Sequence, residues 1–189
     1  YASDRLSTMS LRHKVMSMLM VHVPGVSPAA RLGPDLEGAG GFIVMGDNIP
    51  SSLSQLRTDT AALSDEAGLP VLVATDQEGG IVRRVSTDDA ASAYELRSQS
   101  PSASFEAFAQ RGALLKSVGV SVNFGIVADI ASDTSSFIYD RSFGATGRDA
   151  GARVAQAVQG ESMVLSTLKH FPGHGAAAGD SHSSIPTTS

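Results

Sequence analysis

Apolar positions along the chain switch repeatedly between a helical period and short continuous runs. Leu11, Val15, Met18 and Leu19 recur at helical spacing behind Ser10, whose hydroxyl suits an N-cap. Residues 20–23 follow as a short strand that Pro24 and Gly25 end. Residues 41–45 and 71–75 are continuous apolar runs, as in strands buried on both faces. Between them Ser51 and Ser52 open a helix with Leu53, Leu56, Thr60 and Leu63 on one face, closed by Gly68 and Pro70. Residues 86–103 are rich in Ser, Ala and Asp without clear period, which predicts a long loop with room for one helical turn. A helix over 104–117 turns Phe105, Phe108, Gly112 and Leu115 inward, with both phenylalanines in the core. A strand over 118–124, an irregular stretch over 131–146, a helix over about 148–160 and a strand over 164–170 complete the pattern.

Strands alternating with helices predict an α/β chain with a parallel sheet and right-handed crossovers. Its two common closures are an open doubly wound sheet and an eight-fold barrel. A whole barrel takes about 250 residues, so five strands in 189 residues fall short of one. Composition adds exclusions. With 42 % hydrophobic residues the chain is globular and expected to be one domain. Its net charge of −5, with no Lys/Arg run, argues against nucleic acid as a partner. The lack of cysteine removes disulfides, thiolate metal sites and thiol nucleophiles. The most apolar segment, 15–26, is interrupted by Ser17, His22, Pro24 and Gly25, so no transmembrane segment is expected. The first residue is Tyr1, not Met, and we expect something upstream to have been removed.

The polar residues at the strand ends carry the chemistry. The strand at 71–75 runs into Asp76-Gln77-Glu78-Gly79-Gly80. That at 118–124 meets Asn123, with Asp129 soon after. That at 164–170 ends in Lys169 and His170. Carboxyl ends of parallel strands share one rim, where ligands bind, so Asp76, Asn123, Lys169 and His170 are expected to converge. Asp76 reads as a ligand or as the cap of the next turn. Lys169 at a buried strand end needs a partner, for which Asp76 and Asp129 are candidates. His174 reads as a loop-fixing residue. The Gly/Ala-rich segment 175–180 is expected to be mobile, and it delivers Asp180 and His182. A carboxylate two residues from an imidazole fixes its tautomer and raises its basicity, half of an acid/base pair. Alternatively, this is an exposed polar loop. His170, His174, Asp180 and His182 also offer the ligand types of a zinc-dependent metallohydrolase, at spacings that fit no standard pattern.

The run Lys169 to Gly175 (Lys-His-Phe-Pro-Gly-His-Gly), followed by Asp180-Ser181-His182, resembles the signature of glycoside hydrolase family three in its bacterial β-N-acetylglucosaminidase branch. Asp76-Gln-Glu-Gly-Gly80 with Arg84, and Arg141-Ser-Phe-Gly144, resemble two further motifs of that family, in the same order. The resemblance implies a (β/α)₈ TIM-type barrel, with residues 1–189 as the N-terminal portion of a single glycosidase domain. It implies a retaining exo-glycosidase that removes terminal β-linked N-acetylglucosamine, from saccharides or muropeptides of peptidoglycan. His182 paired with Asp180 would be the acid/base, and Asp76, Arg84, Arg141, Lys169 and His170 would hold the sugar hydroxyls. No metal or organic cofactor is implied. Cell-wall turnover favours the bacterial envelope or secretion over the cytoplasm. Ile81 stands where the family often has Arg, and the family's nucleophilic aspartate matches no residue here. Retention needs that second group, so this stretch alone is expected to be inactive. A non-catalytic sugar-binding module is the alternative if no nucleophile follows. Phosphorolysis is an enzymatic variant, since a histidine does not repel phosphate as a glutamate does.

Overall fold

The computed structural model describes residues 2–33, 36–63, 71–176 and 179–187. The chain folds as two compact units, Tyr1–Thr75 with Ser117–Ser121, and Asp76–Lys116 with Val122–Ser189.

In the first unit, helices α1 (Ala2–Thr8) and α2 (Leu11–Met16) lead into strand β1 (Met20–Val21). Strands β2 (Gly41–Ile43) and β3 (Leu72–Thr75) follow, separated by α3 (Leu53–Ala61). The three strands pair in parallel, Met20 opposite Gly41, and Gly41, Phe42 and Ile43 opposite Leu72, Val73 and Ala74. Ser10 caps α2 by accepting from the His13 N–H at 3.1 Å, and Ser52 caps α3 through Gln55 N–H at 3.4 Å, satisfying otherwise orphaned donors. Of the period read over Leu11, Val15, Met18 and Leu19 only the first two lie on α2, which ends at Met16, and both are exposed, as is Met18 beyond it. On α3 and just beyond it, Leu56, Thr60 and Leu63 are buried, while Leu53 is partly exposed. The predicted close of this helix at Gly68 and Pro70 lies outside the described residues. Helix α1, with Leu6 as its one large apolar residue, has no periodic signal to announce it.

The strand expected over 118–124 begins instead at Val122. Gly119 takes a left-handed φ of +81°, which turns the chain. Val118 and Val120 are buried there without belonging to a strand, and the Thr60 hydroxyl donates to Val118 O at 2.7 Å.

The second unit carries α4 (Ala93–Leu96), α5 (Pro101–Ser117), β4 (Val122–Val127), α6 (Gly147–Gly160) and β5 (Leu165–Lys169). Helix α4 is the single turn anticipated in the Ser/Ala-rich stretch, opened by a capping box between Ser92 and Glu95. Strands β4 and β5 pair in parallel, with a register shift between Asn123 and Ile126. Leu96, Phe108, Ile126, Phe143, Ala150, Val154 and Ala157 form one core cluster. Phe108 and Phe143 meet at 5.8 Å between ring centroids, each buried ring contributing about 1.5–3 kcal/mol. Two expectations fail here. Phe105 is 38 % exposed and is not core, although its helical spacing puts it on the same stripe as Phe108 and Leu115. Leu165 and Leu168 of β5 are more than half exposed, since β5 pairs with β4 on one side only among the described residues. No helix among the described residues is long and apolar enough to cross a membrane.

Candidate active site

The site lies wholly within the second unit. Past the end of β3, Asp76 and Glu78 both reach Lys169, while Gln77 between them turns the other way. Gln77 points into the protein. Its side-chain carbonyl accepts from the Arg84 and Val85 N–H groups, both at 2.9 Å. Its amide nitrogen donates to Val85 O at 3.2 Å and to Asp88 Oδ2 at 2.8 Å. The Asn123 side chain closes on the Gln77 backbone, accepting from its N–H and donating to its carbonyl, both at 3.0 Å. This bracing fixes the loop that carries Arg84, whose Nη2 lies 3.6 Å from Asp76 Oδ2. Gly79 turns that loop at φ +85°, and a Cβ there would run into the buried Arg111 guanidinium.

Asp76 and Glu78 face a cleft of about 530 Å³. Lys169 donates from Nζ to Asp76 Oδ1 at 3.0 Å and lies 2.6 Å from Glu78 Oε1. Arg141, from a short 3₁₀ turn at Tyr139–Arg141, clasps Glu78 in bidentate fashion, Nη2 to Oε1 at 2.7 Å and Nε to Oε2 at 2.9 Å. Donating to the Glu78 carboxylate raises the already high pKa of Arg141, against desolvation. His170 sits beyond, with Nδ1 2.7 Å from Asp129 Oδ2 and Nε2 3.3 Å from Arg141 Nη2. A neutral ring donating from Nδ1 to the carboxylate and accepting at Nε2 satisfies both contacts.

Asp129 organises the turn after β5. Its Oδ2 also accepts from the His170 N–H at 3.0 Å, and its Oδ1 from the His174 N–H at 2.6 Å. Burial by itself would raise its pKa, but the His170 ring and these N–H donors outweigh burial and hold the carboxyl below its usual range. His174 packs edge-on to Phe137 and reaches Ser181 Oγ at 3.1 Å, so its ring meets a side chain and not the backbone expected of a loop-fixing histidine.

His182 lines the same cleft, with Nδ1 2.7 Å from Asp180 Oδ1 and its backbone N–H donating to that oxygen at 3.0 Å. The backbone bond first, and the ring second, lower the Asp180 pKa. The imidazole is 82 % exposed, and its Nε2 makes no hydrogen bond among the described residues. Part of the loop expected to be mobile, residues 177 and 178, lies outside the described residues.

The structure thus gathers Asp76, Arg84, Arg141, Lys169, His170 and His182 around one cleft, with Asp180 behind His182. Asn123 does not join them. It stands near the start of β4, not at its end, and is buried against Gln77 and Glu161. The carboxylate beyond the end of β4 is Asp129. Sequence reasoning passed over Glu78, although its two-residue offset from Asp76 places both on one side of an extended chain. The four residues of the zinc reading are not arranged as one: among the described residues no group of three or more His, Asp or Glu is placed to hold a metal ion.

Parallel strands with a charged cleft at the carboxyl ends of β4 and β5 define an α/β protein with a barrel-type strand-end site. Residues 10–189 match the glycosyl hydrolase family 3 N-terminal domain, and the chain belongs to that family. Its fold is accordingly the TIM-barrel type, of which these residues form the N-terminal part. An uncharacterized secreted glycosyl hydrolase of Arthroderma benhamiae is 36 % identical over 84 % of this chain and 48 % of its own length. The β-hexosaminidase LpqI of Mycobacterium tuberculosis is 31 % identical over 95 % of this chain and 47 % of its own. A solved family 3 β-N-acetylglucosaminidase from a Paenibacillus species superposes with a TM-score of 0.85 at 27 % identity, covering 95 % of this chain and 36 % of that one. The chain spans about half the length of the curated relatives it matches.

Proposed function

We propose that the protein is a retaining exo-β-N-acetylglucosaminidase acting on the non-reducing end of peptidoglycan-derived saccharides or muropeptides, at the cell envelope or outside it. The observation that carries this reading is the Asp180–His182 pair, with Nδ1 held at 2.7 Å and Nε2 left open at the edge of a charged cleft. The family membership and the β-hexosaminidase relatives support it.

In this reading the sugar's hydroxyls meet Asp76, Arg84, Arg141, Lys169 and His170. The carboxylate accepts from hydroxyl hydrogens, while the cations donate to hydroxyl oxygens. His182 gives its Nε2 proton to the glycosidic oxygen as the C1–O bond breaks. An aspartate from a segment outside these residues takes the electron-poor C1 and forms an ester. Water then attacks C1, His182 takes its proton, and the ester bond breaks to restore the aspartate. Asp180 keeps the Nδ1 proton in place and stabilises the imidazolium of the second step.

The test is His182→Ala in the full-length protein. On substrates with poor leaving groups the rate is expected to fall about 10²–10⁴-fold, and on activated aryl glycosides much less. Wild-type rates on the poor leaving groups would remove His182 from this role.

A further inference from the structure

Seven polar groups at the cleft form a single series, with charge alternating from Arg141 to Arg84. It runs from Asp129 to His170, Arg141, Glu78, Lys169, Asp76 and Arg84, with successive contacts of 2.7, 3.3, 2.7, 2.6, 3.0 and 3.6 Å. Glu78 is at its centre and is the carboxylate through which Arg141 and Lys169 are joined. It has little room for a ligand. Only 3 % exposed, it already receives Lys169 and Arg141 on Oε1 and Arg141 again on Oε2. Its influence on a ligand therefore passes through the two cations.

Counting donors shows what it leaves to them. Lys169 has three N–H bonds, two directed at Asp76 and Glu78, so one remains. Arg141 commits Nε and one Nη2 hydrogen to Glu78 and the other to His170, which leaves both Nη1 hydrogens uncommitted among the described residues. These three donors, beside the Asp76 carboxylate, suit a neutral, hydroxyl-rich ring. The charges agree: Asp76, Glu78 and Asp129 balance Arg84, Arg141 and Lys169, with His170 neutral. Without the Glu78 charge the cleft carries an excess cation, and Lys169 is free to fold onto Asp76 and occupy the acceptor meant for a hydroxyl.

We propose that Glu78 is a positioning residue for saccharide recognition, setting the separation of the Lys169 ammonium and the Arg141 guanidinium so that both address the same terminal sugar. This rests on the glycosidase reading above. It is tested in the full-length protein with two aryl β-N-acetylglucosaminides, one with a good and one with a poor leaving group. Glu78→Gln is expected to lower kcat/KM about 10²-fold, the scale of a misplacement near 1 Å. The factor is the same for both substrates and appears largely as a raised KM. A merely structural role lowers the active fraction and leaves KM unchanged. In the double variant with Lys169→Gln, the loss is expected to be little more than that of Lys169→Gln alone, because the two act as a unit.

Wild-type kcat/KM in Glu78→Gln, losses that multiply in the double variant, or a lowered kcat at constant KM overturns the proposal. Should Glu78→Gln not fold, Glu78→Asp retains the charge but is one methylene too short to hold both cations. A raised KM in that variant supports the proposal, and unchanged kinetics overturns it. If the wild-type protein releases no N-acetylglucosamine, the glycosidase reading fails and this inference goes with it. If the wild type is active and Glu78→Gln equals it, only the inference fails.

Discussion

Glu161 is completely buried, and burial pushes its carboxyl up to about 7 in spite of hydrogen bonds from Asn123 at 2.6 Å and Ser166 at 2.8 Å. Because the folded value lies above the ordinary 4.5, the folded protein keeps a proton that the unfolded chain releases between those two values. Stability is therefore unaffected below about 4.5, falls as the pH rises toward 7, and stays lowered above it. Relative to Glu161→Gln, the wild type is expected to lose roughly 3 kcal/mol across that window, at 1.36 kcal/mol per unit. Denaturant midpoints of the two proteins against pH check this, and a constant difference would show that Glu161 ionises as an ordinary carboxylate. Asp129 has the opposite sign. Its lowered pKa adds stability above the ordinary 3.8, which is lost as acid protonates it and releases the His170 and His174 contacts. Neither behaviour was legible in the sequence, where Glu161 is one more residue at a helix end. Lys169 was legible in part: a lysine closing a strand demands a counter-charge, and Asp76 was one of two named partners. The other, Asp129, turned out to hold His170.

At the scale of elements, the starts at Ser10 and Ser52 were readable, while the helix read from residue 104 begins at Pro101. Ser10, Ser52, Ser92 and Thr146 each accept a backbone N–H from the residue three positions on. Such bonds are local, so a tetrapeptide contains all that is needed to form them. Helix α6 offers the cleanest test, since the Thr146 side chain accepts from the Asp149 N–H at 3.2 Å and the residue is exposed. Thr146→Ala is expected to cost about 1 kcal/mol in chemical denaturation, and Thr146→Ser close to nothing. An equal loss in both variants would place the effect in the threonine methyl group instead of the cap. Strand limits were less readable. Valines recur at 118, 120 and 122, and pattern alone does not reveal that Gly119 bends the chain before the pairing starts. Helix α2 shows the limit of periodicity. The spacing defines a face, but not whether anything covers it, and Leu11 remains 79 % exposed.

For the molecule as a whole, the alternation of strands and helices was enough for a parallel α/β class, and the family match assigns the barrel type. The cleft draws on chain segments up to 106 positions apart, from Asp76 to His182, all in one compact unit. That arrangement bears on the metal alternative. The Nδ1 atoms of His170 and His182 already face the carboxylates of Asp129 and Asp180. Hydrolysis by the full-length protein is therefore expected to continue unchanged after exhaustive treatment with a chelator. Activity lost to chelation and restored by zinc would favour the metallohydrolase and displace the acid/base scheme.

Residue order by itself determined the features that depend on neighbours along the chain: helix caps, the strand–helix alternation, and an aspartate two positions from a histidine, close enough to bond without help from the fold. It also placed reactive side chains at strand ends, because parallel strands share one rim. Only the tertiary structure decided which of those side chains face the cleft and which brace it. Asn123 and Gln77 turn inward to hold the loops, whereas Glu78 turns outward to join two cations that lie 28 positions apart in sequence. The direction of a side chain at a strand end follows from exact register and from contacts across the fold, and neither is written in local composition.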